Sequence, residues 1–150
     1  MSIDLSVQSV FDKAMYLIDA QNESTGSTDN GDTTEYKVRT IGILNNLIDD
    51  VYPASDTFVI GEDGKRPALD DLAGFSDEIR MDPYIVRSVL PCGLAAKLLS
   101  EENPTLADFF WQLYEQRLAK ARAGVPASFE SIEDGLPYGG IEYGEFARWW

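Results

Sequence analysis

The sequence contains no histidine and a single cysteine, Cys92, among its 150 residues. The absence of histidine removes the commonest general base and the commonest metal ligand, and it excludes Ser-His-Asp and Cys-His catalytic arrangements. One cysteine cannot form an internal disulfide, and alone it cannot build a metal site. These absences weigh against an enzyme, and we expect no catalytic residue, no cofactor and no bound metal.

Basic residues are also scarce. Lys and Arg number 12 against 26 Asp and Glu, which gives a formal net charge of −14. A conventional nucleic-acid interface needs clustered Lys and Arg, and an anionic membrane surface repels so acidic a protein. The sequence has no apolar run of about 18 residues that could span a bilayer, and residues 1–13 lack the pattern of a signal peptide. We therefore expect an intracellular, soluble protein with no specific nucleic-acid binding and no membrane association.

Apolar residues recur at helical spacing in four segments, each bounded by a capping residue, a proline or a glycine. These segments predict helices at about 5–20, 34–52, 82–101 and 104–124, with Pro53 ending the second and Asn103-Pro104 starting the fourth. The predicted apolar stripe of the first helix includes Leu17, and that of the fourth includes Phe109, Phe110 and Tyr114. Pro91 lies inside the third helix and is expected to kink it. A very short turn joins the last two helices into an αα-hairpin. The predicted fold class is therefore mainly α, a small bundle of about four helices that occupies residues 1–124.

Two stretches between the helices lack a helical period. Residues 21–34 are polar and rich in Gly, Ser and Thr, which predicts a flexible loop. Residues 53–80 are irregular, and a β-like run at 57–60 before a turn at 62–64 is compatible with a short β-hairpin. Asp70 and Asp71 in this stretch are interpreted as a helix start or a solvated turn, because nothing in the sequence gives them the surroundings of a catalytic pair.

The last 26 residues have a different character. Residues 125–150 are punctuated by Gly and Pro and rich in aromatics, which predicts an extended C-terminal arm. Large aromatic anchors among small, adaptable residues are typical of binding segments. The predicted partner-binding residues are the aromatics Tyr138, Tyr143, Phe146, Trp149 and Trp150. In the alternative, the arm folds back over the helices and its tryptophans close the core.

Two stretches of sequence resemble a known family. LPCGLAAKLLSEENPTLADFFWQLYEQRLAKA at 90–121 and SIEDGLPYGGIEYGEFARW at 131–149 are similar to the small helical head–tail connector proteins of tailed bacteriophages and prophages. The similarity is carried by Leu90, Pro91, Gly93–Ala96, Leu98, Leu99, Glu102, Pro104, Leu106, Phe110, Gln112, Tyr114, Glu115 and Leu118, and in the arm by Ile132, Asp134, Tyr138–Gly140 and Phe146–Trp149. Residues 135–137 lengthen the junction before Tyr138 beyond the family's pattern.

The resemblance implies a structural subunit of the virion neck with no enzymatic activity or cofactor. Such adaptor or head-completion proteins assemble as a ring of roughly twelve copies against the portal protein, with tail or stopper proteins below, and a ring requires a heterologous interface between neighbours. The acidic surface would then lie near the channel that DNA crosses, where like charge prevents sticking. The arm would be a docking segment for the portal or an adjacent subunit.

Three alternatives remain open at this point. An acidic phage-encoded regulator or DNA mimic could use acidic pairs such as Asp49-Asp50 to bind a basic host factor. A tail-completion or tail-terminator component would share the same helical hairpin. A carboxylate enzyme could place Glu101, Glu102 and Asp108 around one ion, although adjacent residues on a helix point in different directions.

Overall fold

The structure is a computed structural model that describes residues 2–20, 23–55 and 62–124. Its helices are α1 (Val7–Leu17), α2 (Thr34–Val51), α3 (Leu90–Leu99) and α4 (Pro104–Gly124). A π-helical turn at Ile85–Val89 leads into α3, and short 3-10 turns at Gly31–Thr33 and Tyr52–Ala54 flank α2. Within these described ranges there is no strand, and the predicted mainly-α fold of four helices is confirmed. The β-like run at 57–60 lies outside them.

Helix α1 begins where Ser6 accepts a hydrogen bond from the Ser9 amide at 3.2 Å, as N-cap serines do. The chain leaves the helix through Asp19, whose φ of 57° is left-handed. The buried face consists of Val7, Val10, Phe11, Ala14 and Met15. The spacing also predicted Leu17 on this face, but Leu17 is 38% exposed. Met15 and Leu17 lie at opposite edges of the apolar face of α1, and only the edge with Met15 is covered by neighbouring segments.

Helix α2 follows a capping box in which Asn30 and Thr33 bond reciprocally to each other's backbone amides. It ends at Val51 and is followed by the 3-10 turn Tyr52–Ala54, which contains Pro53, in agreement with the end predicted from the proline. Its buried residues are Thr40, Leu44, Leu47, Ile48 and Val51. Thr40 is polar yet fully buried, and its hydroxyl is satisfied because it donates to the carbonyl of Tyr36 at 2.7 Å.

The described part of the loop before α2 is attached to α1 through threonine side chains. The Thr28 hydroxyl donates to the Asp12 carboxylate at 2.6 Å, and the buried Thr33 hydroxyl donates to the Thr28 carbonyl at 2.6 Å. Both threonines are therefore buried with their polar atoms satisfied.

The irregular segment 62–80 packs along α1 and α2. Asn45 on α2 accepts from the Leu72 amide at 2.8 Å and donates to the Leu72 carbonyl at 3.3 Å. Close by, the Ile79 amide donates to the Leu5 carbonyl at 2.9 Å, beside the isolated antiparallel bridge between Ser6 and Glu78. These backbone contacts hold the segment against the first turn of α1.

The α3–α4 hairpin forms the centre of the fold. Every residue of α3 is buried except Lys97. Gly93 allows the helices to approach closely, since an added Cβ would lie 2.9 Å from the Tyr114 ring and 3.1 Å from Leu47 Cδ1. Helix α4 begins with the Asn103 side chain accepting from the Leu106 amide at 3.2 Å, which matches the predicted Asn-Pro start.

Only part of the predicted stripe of α4 faces the core. Its buried residues are Ala107, Phe110, Tyr114 and Leu118. Phe109, which the spacing also placed on the stripe, is 56% exposed. Phe109 and Phe110 are adjacent and therefore about 100° apart around the helix, so only one of the two can point directly at α3.

Candidate protein-interaction site

The five predicted partner-binding residues, Tyr138, Tyr143, Phe146, Trp149 and Trp150, all lie outside the described residues. Their role stays a prediction. Within 2–20, 23–55 and 62–124, three surface features combine shape with chemistry: a basic depression beside the π-helical turn, a groove along residues 67–80, and a pocket between α2 and α4.

The π-helical turn lies where the sequence predicts a kink. Pro91 has no N–H to give to the carbonyl of Arg87 four residues earlier, and the Leu90 amide instead bonds to Ile85, five residues back. Side chains from two other helices reach the carbonyls of this turn. Lys13 of α1 donates to the Arg87 carbonyl at 3.3 Å.

The second of these side chains is Arg117 of α4. It donates to the Ser88 carbonyl at 3.0 Å and to the sulfur of Cys92 at 3.2 Å. Burial raises the pKa of the Cys92 thiol, so the sulfur accepts this bond in its neutral form. The turn therefore ties α1 and α4 to the central helix.

Beside this turn lies a depression of about 380 Å³, lined by Lys13, Pro83, Tyr84, Arg87 and Ser88. Partial burial and the nearby charge of Arg87 lower the pKa of Lys13. Tyr84 is 42% exposed at its edge. The depression is a small basic feature on a strongly acidic protein.

The groove along residues 67–80 has a volume of about 670 Å³ and is lined by Ile48, Pro67–Leu72 and Asp77–Arg80. Asp70 and Asp71 are exposed and outside any helix, as expected for a solvated turn. Asp77 accepts from the Ala73 amide at 2.7 Å and the Gly74 amide at 3.0 Å, and these bonds lower its pKa. The acids of this groove thus stabilise the local backbone or face solvent.

The pocket between the C-terminal end of α2 and α4 has a volume of about 350 Å³ and is lined by Asp50, Trp111, Tyr114, Glu115, Leu118 and Arg122. Buried Tyr114 and Leu118 form its floor, and exposed Asp50, Glu115 and Arg122 form its rim. We refer to these six residues as the Tyr114 pocket.

Contacts with its neighbours hold Trp111 in place at the side of the Tyr114 pocket. Its indole N–H donates to the Glu115 carboxylate at 3.1 Å, and the Lys97 ammonium lies 4.5 Å from its ring centroid. The Trp111 and Tyr114 ring centroids are 4.7 Å apart, with their planes inclined by 31°. These contacts fix the orientation of the Trp111 ring beside the pocket.

The hydroxyl of Tyr114 is the one chemically unusual group in this pocket. It is buried, and within the described part of the chain it has no hydrogen-bond partner. Burial, followed by the negative charge of Asp50, raises the pKa of Tyr114 to about 12. The phenol is therefore neutral at physiological pH, with a donor and an acceptor both unused.

The described residues do not form a metal site or a membrane-spanning helix. Across the described ranges, no group of three or more His, Cys, Asp or Glu side chains could hold a metal ion, so Glu101, Glu102 and Asp108 do not converge. Glu102 instead accepts from the Tyr36 hydroxyl at 2.5 Å. None of the described helices is both long enough and apolar enough to cross a membrane.

No family model, curated protein or solved structure matches this chain at a significant level.

Sequence reasoning named some members of the Tyr114 pocket without the pocket itself. The spacing predicts Tyr114 on the apolar stripe of α4, and Asp50 belongs to the acidic pairs of the DNA-mimic alternative. The missing information is tertiary, because α2 and α4 meet across more than 60 residues of chain. The available signal was a tyrosine on a buried stripe, since a buried hydroxyl normally requires a partner.

Proposed function

We propose that this protein is a structural subunit of a tailed-bacteriophage or prophage virion, a head–tail connector that assembles as a ring beneath the portal protein and joins capsid to tail. The proposal rests on the resemblance of residues 90–121 and 131–149 to the sequence pattern of connector proteins. The proposed location is the virion neck, with the host cytoplasm as the place of assembly.

The positions that carry the similarity support a structural role. Leu90, Gly93, Leu94 and Leu98 are buried along α3, and Tyr114 packs against Gly93 from α4. These residues hold the hairpin together and do not form a catalytic constellation. A shared pattern made of packing residues is what a common scaffold requires.

The charge of the protein suits a place beside a DNA channel. A net charge of −14 repels passing phosphates, and a surface that repels DNA does not retard its transit. The basic depression at Lys13 and Arg87 is confined to one small site near the π-helical turn. In this proposal it faces protein neighbours and not the channel.

The C-terminal arm supplies the contact with a neighbour in this proposal. Trp149 and Trp150 are the interface anchors, with Tyr138, Tyr143 and Phe146 beside them, and the acceptor is the portal or an adjacent subunit. Closing a ring requires one face of a subunit to meet a different face of the next, which an arm reaching outward provides.

Co-purification with the portal protein encoded nearby tests this proposal. The intact chain and a version that lacks residues 140–150 are each co-expressed with the portal protein, and stoichiometry is read by native mass spectrometry. The expected result is a ring-sized complex with the intact chain only. Circular dichroism of the truncated chain provides the control, because a helical, cooperatively melting protein shows that its failure to bind is not misfolding.

The opposite result has a definite meaning. If neither version associates with the portal protein and the intact chain stays a monomer at all concentrations, the connector proposal is wrong. An acidic regulator that binds a basic host factor then becomes the better explanation. If the truncated chain does not fold, the arm belongs to the core of its own subunit.

A further inference from the structure

We propose that the Tyr114 pocket is a binding site for an arginine side chain of a partner protein. This inference does not depend on the connector proposal, since it rests on the geometry of α2 and α4 alone. It assigns a role to three groups that the fold itself does not use: the Tyr114 hydroxyl, the Asp50 carboxylate and the free oxygen of Glu115.

The first step is the buried hydroxyl. Tyr114 is 2% exposed, its oxygen has no partner among the described residues, and its side chain lines the pocket. A buried polar group without a partner is rare in folded proteins and calls for an explanation. A ligand group that enters the pocket and slightly displaces the side chains that cover the hydroxyl would satisfy it.

The second step is the sign of the ligand charge. Two carboxylates, Asp50 and Glu115, stand at the rim against one guanidinium, Arg122. In the described structure neither Asp50 nor Arg122 is part of an ion pair, and Glu115 accepts only the indole N–H of Trp111. The Lys97 ammonium lies over the Trp111 ring but is not part of the lining, so carboxylates outnumber cations within the lining. This excess and the net charge of −14 both favour an incoming cation.

The third step is shape. A volume of about 350 Å³ is at the lower end for small-molecule sites and suits a single large side chain. Arginine fits the lining better than lysine does, because the N–H groups of its planar guanidinium can reach several acceptors at once. The carboxylates of Asp50 and Glu115 and the hydroxyl of Tyr114 are these acceptors.

Titration of the intact, ¹⁵N-labelled chain with N-acetyl-L-arginine amide tests the proposal. The Trp111 indole N–H, which bonds to Glu115 beside the pocket, reports binding through its NMR shift. The control ligand is N-acetyl-L-citrulline amide, which has nearly the same shape without the charge. We expect a saturable shift with the arginine derivative and none with citrulline.

Variants at the rim and floor complete the test. Asp50→Asn should weaken binding by about tenfold, the range expected for a hydrogen bond to a charged group. The matched control is Asp49→Asn, since Asp49 is exposed, adjacent and absent from the pocket lining, and it should leave the affinity within about twofold. Tyr114→Phe keeps the ring and removes the hydroxyl, and it should also weaken binding. Thermal melts of each variant show that the fold is retained.

Three outcomes would overturn the inference. Equal shifts with citrulline would show that charge is not recognised. Equal losses in Asp49→Asn and Asp50→Asn would show attraction by the general field of the protein and not by this pocket. Saturable binding of N-acetyl-L-glutamate amide in place of the arginine derivative would show that Arg122 and the hydroxyl form an anion site. None of these results depends on whether the chain binds a portal protein.

Discussion

Gly93 is a point where α3 contacts both α2 and α4, and replacing it with alanine tests the packing directly. The added Cβ would lie 2.9 and 3.0 Å from two carbons of the Tyr114 ring and 3.1 Å from Leu47 Cδ1. Carbon atoms prefer separations of about 3.5–4.0 Å, so each neighbour would have to move by roughly 0.5 Å. The Tyr114 ring is rigid and packed between helices, so it cannot relieve these close contacts by rotating a terminal group.

Two opposing effects set the size of the change. Overpacking of this kind costs about 1–3 kcal/mol, whereas alanine in place of glycine inside a helix stabilises by about 1 kcal/mol. Gly42 on α2 isolates the second effect, because it is exposed and has nothing within 4 Å of an added Cβ. The free energy of unfolding should therefore be about 1–3 kcal/mol lower for Gly93→Ala than for Gly42→Ala.

Urea unfolding of the intact chain, followed by circular dichroism at the helical band, measures this difference. The two variants should unfold with the same denaturant dependence as the parent, so that the midpoints report stability alone. If Gly93→Ala proved as stable as Gly42→Ala, the three helices would not meet at Gly93 as described, and the close approach would be refuted.

Three further predictions address separate parts of the fold. Leu94→Ala should lower the free energy of unfolding by about 2–5 kcal/mol in the same urea assay, since Leu94 is fully buried; a smaller loss would place that face of α3 outside the core. Arg117→Met keeps the aliphatic stem but removes the side-chain donor to the Ser88 carbonyl, so thermal melting should show a free energy of unfolding lower by about 1–3 kcal/mol. An unchanged melting temperature would mean that this hydrogen bond does not stabilise the fold. Asp77 should titrate below its ordinary value of 3.8 because the Ala73 and Gly74 amides favour its ionised form. Its stabilising contribution is therefore complete above pH 3.8 and is lost as the pH falls through the lowered pKa. The Gly74 amide shift against pH measures this value, and a midpoint at or above 3.8 would contradict it.

The helices could be predicted from the sequence because their signals are local. Apolar spacing, the Asn103-Pro104 start and the proline after α2 specify these elements within one or two turns of chain. The margins of each apolar stripe could not be predicted in the same way. Met15 is buried and Leu17 is exposed because neighbouring segments cover one side of α1, and periodicity does not reveal which side.

The candidate site was less accessible to sequence reasoning, for a physical reason. Whether the Tyr114 hydroxyl has a hydrogen-bond partner depends on all the residues packed around it, and no local sequence pattern encodes those contacts. The same holds for Lys13, whose bond to the Arg87 carbonyl spans 74 residues. Pro91 predicted a kink in the third helix, but not which side chains would reach the turn.

Two hydrogen bonds at the π-helical turn connect both α1 and α4 to residues 85–89. Lys13 and Arg117 reach the turn from opposite ends of the described chain and donate to carbonyls of adjacent residues. Detachment of α1 would leave the Arg87 carbonyl without the ammonium, and detachment of α4 would leave the Ser88 carbonyl without the guanidinium. Opening of α1 or of α4 therefore costs a hydrogen bond at residues 85–89, and a neighbour that binds either helix also favours the closed form of this turn.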